Sequence, residues 1–299
     1  MAGNTVDDSI VDETVDDTVD HSMDHGVDHT VDHSGDHSGD HSGDGTVGGD
    51  PGGDRPVRMA DGYFPVETLG PGRRLALWFQ GCALACPGCM SRHTWDPAGG
   101  RPATVGELLR LWDAALARGA EGLTVSGGEP LAQPAALAAL LRGADRVRRR
   151  HGRPADLLVY TGHEPHEVPA DVWSALAGAD AVVTGRFRVA EPTDLVWRGS
   201  ANQRLVPRTA LGAHRYGPHL SRTYPPGPRV SLRVEAAGAG AGSRAGAGAG
   251  AGSASAVGAG AGTEAGAWVY GVPARGELRL LELGLAADGI RLRGPSWRA

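Results

Sequence analysis

The chain has 299 residues and a formal net charge of −6, yet 21 of its 47 glycines, most of its aspartates and half of its 12 histidines lie in two tracts, residues 1–54 and 236–267. Residues 1–54 carry 15 acidic side chains and no basic one, whereas residues 55–299 carry all 29 basic side chains, every one an arginine, against 20 acidic ones. The lack of lysine excludes a lysine Schiff base and a phosphate-loop lysine. Three cysteines exclude a disulfide framework.

Residues 1–54 form an acidic repeat of four-residue units with a histidine at every fourth position from His21 to His41. Dense like charge with few large apolar side chains predicts a disordered tail. Loose binding of divalent metal ions is the alternative that the histidines leave open. The start of the sequence lacks the positive charge and apolar stretch of a secretion signal.

Residues 236–267 are almost entirely glycine, alanine and serine, and they are predicted to form a flexible insert. The uncharged stretch between Arg244 and Glu264 has Val257 as its only larger apolar side chain, so it is too weakly hydrophobic to span a membrane. We therefore expect a cytoplasmic protein with no membrane partner.

Short apolar runs alternate with helical stretches through the body of the chain, residues 55–235. The predicted elements, in chain order, are a strand at Leu75–Phe79, a helix capped by Thr104 and running to about Arg118, a strand at Gly122–Ser126, a helix from Pro134 to about Arg150, a strand at Leu157–Tyr160, a helix from about Val168 to Ala177, and a strand at Ala181–Thr184. This order indicates an α/β fold with a parallel sheet covered by helices, and the number of units favours an open, partial β/α barrel.

A smaller C-terminal extension follows the body and is predicted to pack on it, with residues 268–299 beyond the Gly/Ala insert. Its pattern predicts two strands, a helix and a last strand, at Val230–Glu235, Trp268–Val272, Arg275 to about Ala287, and Ile290–Arg293.

All three cysteines follow the first predicted strand of the body, as Cys82, Cys86 and Cys89 in a C-x3-C-x2-C spacing. Thiolates select zinc, copper(I) or iron–sulfur clusters. A structural zinc site would need a fourth ligand, and His93 is a candidate for it. Three thiolates on a [4Fe–4S] cluster would instead leave one iron open to a small molecule, whereas an electron-transfer cluster wants four cysteines.

This spacing resembles the signature of the radical S-adenosylmethionine (SAM) superfamily, and the Gly127-Gly128-Glu129-Pro130 run after the second predicted strand looks like that superfamily's G-G-E-P motif. The resemblance implies a partial barrel of the radical SAM type, a [4Fe–4S] cluster on the three cysteines, and SAM bound at the fourth iron. Glycines allow close backbone approach to a ligand, and the Glu129 carboxylate can accept hydrogen bonds from the SAM ammonium group.

Within the superfamily, the chain is most similar to the activating protein of anaerobic ribonucleotide reductase and its relatives. The matching pieces, within about residues 62–207, are Gly81–Cys89, Thr94-Trp95, Tyr160-Thr161-Gly162, Gly185-Arg186-Phe187 and Trp197–Arg204. The resemblance implies reductive cleavage of SAM to methionine and a 5′-deoxyadenosyl radical, which takes a hydrogen atom from a glycine of a partner glycyl radical enzyme. It also implies a low-potential electron donor such as flavodoxin or ferredoxin.

Several residue roles and two other functions remain open at this stage. Gly127, Gly128 and Glu129 are candidate SAM contacts, with a tight turn capped by Glu129 as the alternative. Gly162 and Arg186 are candidates for contacting SAM or substrate, and a surface ion pair is the alternative for Arg186. The other functions are a radical SAM enzyme acting on a small molecule or peptide and a non-enzymatic Cys3His zinc module. Scattered arginines argue against nucleic acid binding.

Overall fold

The computed structural model of the chain describes residues 54–236, 255–259, 263–288, 290–293, 295, 297 and 298. The predicted disordered tail therefore lies outside the described residues except for Asp54, and so do residues 237–254 of the Gly/Ala insert. Within the described part, no helix has the length and apolar character needed to cross a membrane.

The body of the chain contains seven strands and four α-helices. The strands are Pro56–Val66 (β1), Arg74–Phe79 (β2), Arg101–Thr104 (β3), Gly122–Gly127 (β4), Asp156–Tyr160 (β5), Ala181–Thr184 (β6) and Arg204–Pro207 (β7). The helices are Val105–Ala117 (α1), Pro134–His151 (α2), Ala170–Trp173 (α3) and Ala210–Tyr216 (α4), and short 3₁₀ turns lie at Arg92–Thr94, Pro130–Ala132, Pro165–Glu167, Ser174–Leu176 and Gly217–His219.

These strands form one sheet in the order β3-β1-β2-β4-β5-β6-β7. The four central strands, β2, β4, β5 and β6, pair in parallel, as their continuous apolar runs predicted. Three further strands run antiparallel, with β1 and β3 at one edge and β7 at the other. The α/β class with a largely parallel centre is thus confirmed, and the partial barrel stays a prediction.

Helices α1 and α2 cover one face of the sheet. Thr104 caps α1 as predicted and forms a capping box with Glu107, in which its hydroxyl accepts from the Glu107 amide and the Glu107 carboxylate accepts from the Thr104 amide. Trp112 is fully buried between the helices, and its indole N–H donates to the Ala144 carbonyl at 3.1 Å. Their apolar faces and the strands beneath them form the largest hydrophobic core of the described residues.

The helix expected at about residues 168–177 is shorter than predicted. It consists of the four-residue α3 and the 3₁₀ turn Ser174–Leu176. Pro169 stands directly before it and Gly178 soon after it, and only Ala175 and Leu176 are buried. A short stretch between two chain-breaking residues has too little apolar surface to continue a regular helix.

A buried ionic cluster joins β2 to β5 at the start of both strands. Arg74 and Asp156 are completely buried and form a salt bridge of 2.7 Å, and the Tyr216 hydroxyl also donates to Asp156. Arg74 donates further to the Thr124 hydroxyl at 2.6 Å. Burial alone would raise the pKa of Asp156, but Arg74 lowers it below its ordinary value.

The C-terminal extension has one more strand than the sequence predicted. Its elements are Val230–Ala236 (β8), Ser255–Ala259 (β9), Thr263–Gly271 (β10), Glu277–Ala287 (α5) and Arg291–Arg293 (β11). The strands form a separate antiparallel sheet in the order β11-β9-β10-β8. The additional strand β9 comes from within the Gly/Ala insert, where small residues gave no apolar alternation to read.

Aromatic side chains hold this extension against β1 and β2. The rings of Tyr270 and Tyr63 are stacked with their centroids 5.2 Å apart, and Trp78 lies 5.0 Å from the Tyr270 ring. The Tyr270 hydroxyl donates to the Asp61 carboxylate at 3.2 Å, and the Thr68 hydroxyl donates to the Tyr270 carbonyl at 3.2 Å. Residues about 200 positions apart are thereby brought into direct contact.

Candidate metal centre

The segments that follow the four parallel strands meet at one edge of the sheet. They are the cysteine loop after β2, Gly128-Glu129 after β4, Thr161-Gly162 after β5 and Gly185 after β6. This is the edge at which parallel α/β sheets gather their ligands. Together with the extension, the four segments line a cavity of about 390 Å³.

All three cysteines line this cavity as free, partly exposed thiols. The loop that carries them turns at Ala85 and Gly88, whose φ angles of 46° and 75° are both left-handed. Burial raises the pKa of each of the three thiols. Among the described residues, no three His, Cys, Asp or Glu side chains are gathered as a site for a single ion.

Backbone hydrogen bonds fix the start of the cysteine loop. The Gly81 amide donates to the Thr94 carbonyl at 2.8 Å, and the Cys82 amide donates to the Trp95 carbonyl at 3.0 Å. The Glu129 amide in turn donates to the Gly81 carbonyl at 2.8 Å. The cysteine loop and the G-G-E-P segment are therefore one connected unit.

Close backbone approach explains the two glycines of the G-G-E-P segment. Gly127 has a φ of 116°, and a Cβ there would lie 2.3 Å from the backbone N and O of Phe79. A Cβ on Gly128 would lie 2.4 Å from the Gly81 carbonyl oxygen and 2.8 Å from that of Thr94. Both glycines are thus required for the G-G-E-P segment to lie against the cysteine loop.

The Glu129 carboxylate connects the ends of β4 and β5. Its Oε1 accepts from the Leu131 amide at 2.9 Å and the Thr161 hydroxyl at 2.8 Å, and its Oε2 accepts from the Gly162 amide at 2.8 Å. Glu129 is only 3% exposed, yet it lines the cavity. Burial raises its pKa, although the three hydrogen bonds oppose that shift.

The structure brings Gly162 to the cavity but not the Arg186 side chain. Gly162 lines the cavity, and a Cβ there would lie 2.4 Å from the Leu84 side chain of the cysteine loop. Arg186 is 49% exposed and lies 3.7 Å from the Glu167 carboxylate. Its neighbours Gly185 and Phe187 line the cavity, whereas the Arg186 side chain lies beside Glu167 at the surface.

His93, the candidate fourth zinc ligand, also lines the cavity. Its Nδ1 is buried without a hydrogen-bond partner among the described residues, and burial lowers its pKa to about 4. The imidazole is therefore neutral at physiological pH, as a metal ligand would be.

The Trp197–Arg204 block positions the loop after β6. The Gln203 side chain accepts from the Gly199 amide at 2.7 Å and donates to the Gly185 carbonyl at 2.9 Å. The Asn202 side chain donates to the Arg186 carbonyl at 2.9 Å. Both side-chain amides therefore bind backbone groups of the loop that follows β6.

Sequence reasoning missed the cavity wall that β1 and the extension provide. Asp61, Tyr270 and Arg275 all line the cavity. Burial raises the pKa of the Asp61 carboxyl, although its hydrogen bonds to Gly62 and Tyr270 oppose the shift. These residues lie far apart in the sequence and form no motif, so no local signal marks them.

Comparison with known proteins places the chain in the single-cluster iron–sulfur class. The family model described as a 4Fe-4S single cluster domain matches residues 68–206, the part of the chain that contains all three cysteines and the four parallel strands.

Relatives of known function show which family within this class the chain resembles. The anaerobic ribonucleoside-triphosphate reductase-activating protein of Escherichia coli K12 is 33% identical over 148 residues, which is 47% of this chain and 93% of the relative. The protein of the same name from Pasteurella multocida is 38% identical over 151 residues, covering 47% and 92% of the two chains. The pyruvate formate-lyase-activating enzyme of Clostridium pasteurianum is 42% identical over 76 residues, 24% of this chain and 32% of the relative.

The chain belongs to the family of anaerobic ribonucleoside-triphosphate reductase-activating proteins, which are glycyl-radical activases of the radical SAM superfamily. It is an enzyme, and the predicted resemblance is confirmed. The acidic tail and the C-terminal extension lie outside the residues that the family model matches.

Proposed function

We propose that this protein cleaves SAM reductively at a [4Fe–4S] cluster and generates a glycyl radical on a partner enzyme. The observation that supports the proposal most strongly is that Cys82, Cys86 and Cys89 line one cavity with the ends of the parallel strands. The donor set suits the cluster, because three thiolates hold three irons and leave the fourth for SAM.

The G-G-E-P segment is proposed to hold the methionine end of SAM. Glu129 lines the cavity at the end of β4, where its carboxylate is fixed by three hydrogen bonds. A fixed, buried carboxylate binds an ammonium group strongly, because no water competes with it. Gly127, Gly128 and Gly162 keep this region free of side chains, so the backbone itself can approach the ligand.

The bound cluster and SAM supply the hard chemistry, in which one electron from a low-potential donor breaks the C5′–S bond, releases methionine and leaves a 5′-deoxyadenosyl radical that takes a hydrogen atom from a glycine Cα. The protein orients the reactants and keeps water away. Aromatic and aliphatic side chains line the cavity together with the cysteines, among them Trp78, Tyr160 and Val269.

The test begins with protein prepared without oxygen and supplied with iron and sulfide. We expect about four irons and four sulfides per chain, and 5′-deoxyadenosine and methionine in equal amounts when SAM and dithionite are added. Replacing Cys82, Cys86 or Cys89 by alanine is expected to abolish both. Stoichiometric zinc without iron would support the Cys3His module with His93 and contradict the proposal.

The substrate is tested separately by electron paramagnetic resonance. A glycyl radical signal should form on a glycyl radical enzyme from the same organism, with anaerobic ribonucleotide reductase as the first choice and flavodoxin or ferredoxin as the physiological donor. Formation of 5′-deoxyadenosine without a radical on such a partner would favour a small molecule or peptide as the substrate.

A further inference from the structure

One wall of the cavity comes from the extension that the family model does not match. The turn between β10 and α5 lines the cavity from Gly271 to Gly276, and the cysteine loop lines the same cavity. The matched region ends at residue 206, so this wall is an addition to the family's shared core. A wall that the extension adds to the cavity is a place where the substrate can be selected.

Hydrogen bonds at both ends hold this turn in position. The Glu277 carboxylate accepts from the Ala274 amide at 2.7 Å and from the Arg229 amide at 2.6 Å. At the other end, the Tyr270 carbonyl accepts from the Thr68 hydroxyl at 3.2 Å. The turn therefore presents its side chains to the cavity from a fixed backbone.

Arg275 gives this wall a permanent positive charge. It is the one arginine among the described residues that line the cavity, and its side chain is exposed. Within the described part of the chain, its guanidinium has neither a hydrogen bond nor an ion pair. The acidic groups of the cavity, Asp61 and Glu129, are already engaged by other donors.

We propose that Arg275 is a specificity-determining residue that binds a carboxylate of the hydrogen-donating substrate, an inference that rests on the proposed activase function. A backbone glycine carries no charge or side chain, so recognition must use the groups around it. A guanidinium binds a carboxylate through two parallel hydrogen bonds. In a protein substrate that carboxylate is the side chain of an Asp or Glu beside the target glycine.

The experiment uses the cluster-loaded enzyme, SAM, dithionite and two pairs of probes. In each probe, deuterium replaces both hydrogens on the glycine Cα. One pair is a blocked pentapeptide with Asp or Asn next to the glycine, and the other is N-acetylglycine and N-acetylglycinamide. Mass spectrometry measures deuterium in 5′-deoxyadenosine, and calorimetry measures probe binding. We expect the Asp peptide to transfer about ten times more deuterium than the Asn peptide and to bind about ten times more tightly.

The variants test whether Arg275 causes this selectivity. Arg275→Gln should bring the ratio between the two peptides to about one, and Arg275→Lys should keep part of it. The matched control is Arg279→Gln, since Arg279 is an exposed arginine on α5 that lies 3.5 Å from Glu282 and does not line the cavity. This control should keep the full ratio.

Three results would overturn the proposal. If the ratio between the Asp and Asn peptides is the same in wild type and in Arg275→Gln, Arg275 does not select the substrate. Selectivity confined to N-acetylglycine would identify a free acid instead of a side-chain carboxylate. A raised KM for SAM in Arg275→Gln, with an unchanged ratio between the two peptides, would mean that Arg275 binds SAM and not the substrate. If no probe transfers deuterium, the proposal is judged by the ratio of the binding affinities of the two peptides, measured by calorimetry for wild type and Arg275→Gln. Failure to form any 5′-deoxyadenosine would instead contradict the proposed function.

Discussion

The Glu129 carboxylate accepts a hydrogen bond from the Gly162 amide at 2.8 Å and so joins the ends of two neighbouring parallel strands. The same carboxylate accepts from the Thr161 hydroxyl at 2.8 Å. A side chain proposed to contact SAM therefore also fixes the shape of the loops around SAM.

Glu129→Gln is expected to lower both stability and SAM cleavage. An amide presents one acceptor and one donor, so one of the three donors that face Glu129 is left unpaired, at a cost of about 1–3 kcal/mol. We expect the formation of 5′-deoxyadenosine to fall more than tenfold, because a neutral amide also binds an ammonium group more weakly. Urea unfolding and product analysis measure the two effects.

Thr161→Val is the matched control for this change. It removes one hydrogen bond to the Glu129 carboxylate but keeps its charge and the bond from Gly162. We expect a similar loss of stability with a much smaller loss of activity. Equal losses of activity in the two variants would mean that Glu129 acts only by fixing the loops.

Gly128→Ala is expected to displace the cysteine loop. The new methyl group would lie 2.4 Å from the Gly81 carbonyl oxygen, a distance that backbone atoms must move to relieve. We expect the variant to fold but to retain less than half of the wild-type iron after gel filtration, as measured by metal analysis. Gly284→Ala on α5, where a Cβ would meet nothing within 4 Å, should retain all of it.

Asp156→Asn is expected to destabilise the protein strongly at pH 7. Arg74 would keep its buried charge without a partner, and breaking such a pair costs about 3–5 kcal/mol. Because Arg74 holds the folded-state pKa of Asp156 below its ordinary value, the ionised pair stabilises the fold above the unfolded pKa of about 3.9.

The same linkage gives a pH dependence. The stability that Asp156 contributes is lost as the pH falls through its lowered folded-state pKa, so the difference between wild type and Asp156→Asn should shrink below about pH 4. Urea unfolding at several pH values measures it. A difference that stays constant down to pH 2 would show that the charge of Asp156 is not its source.

Tyr270→Ala is expected to loosen the extension from the body. It removes a buried ring that lies 5.2 Å from the Tyr63 ring and 5.0 Å from the Trp78 ring, a loss of about 3–5 kcal/mol. Limited proteolysis should then cut the extension first. Tyr270→Phe keeps the ring and loses only the hydroxyl, with its bonds to Asp61 and Arg233, so its rate of proteolysis should stay near that of wild type.

The parts of the fold that the sequence predicted are those whose signals are local. Leu75–Phe79 is a continuous apolar run, and Thr104 with Glu107 forms a capping box, so β2 and α1 were both expected. Strand β1 was missed because charged and small residues interrupt its pattern, and its antiparallel pairing with β2 depends on the tertiary fold.

The residues of the site also separate into those that local motifs predict and those that only the tertiary fold brings together. The three cysteines and the G-G-E-P segment are short motifs, and the structure places both at one cavity. Asp61 and Tyr270 meet across 209 positions of the sequence, so their contact depends on how the extension folds back. Arg186 belongs to a matching motif but lies 3.7 Å from the Glu167 carboxylate and does not line the cavity, so its contact with SAM or substrate stays a prediction.

The wall of the cavity from Gly271 to Gly276 also sets an order of events during synthesis. The ribosome completes the cysteine loop and the four parallel strands long before it reaches Tyr270, the residue that attaches the wall to β1 and β2. Until then the cavity that all three thiols line lacks this wall.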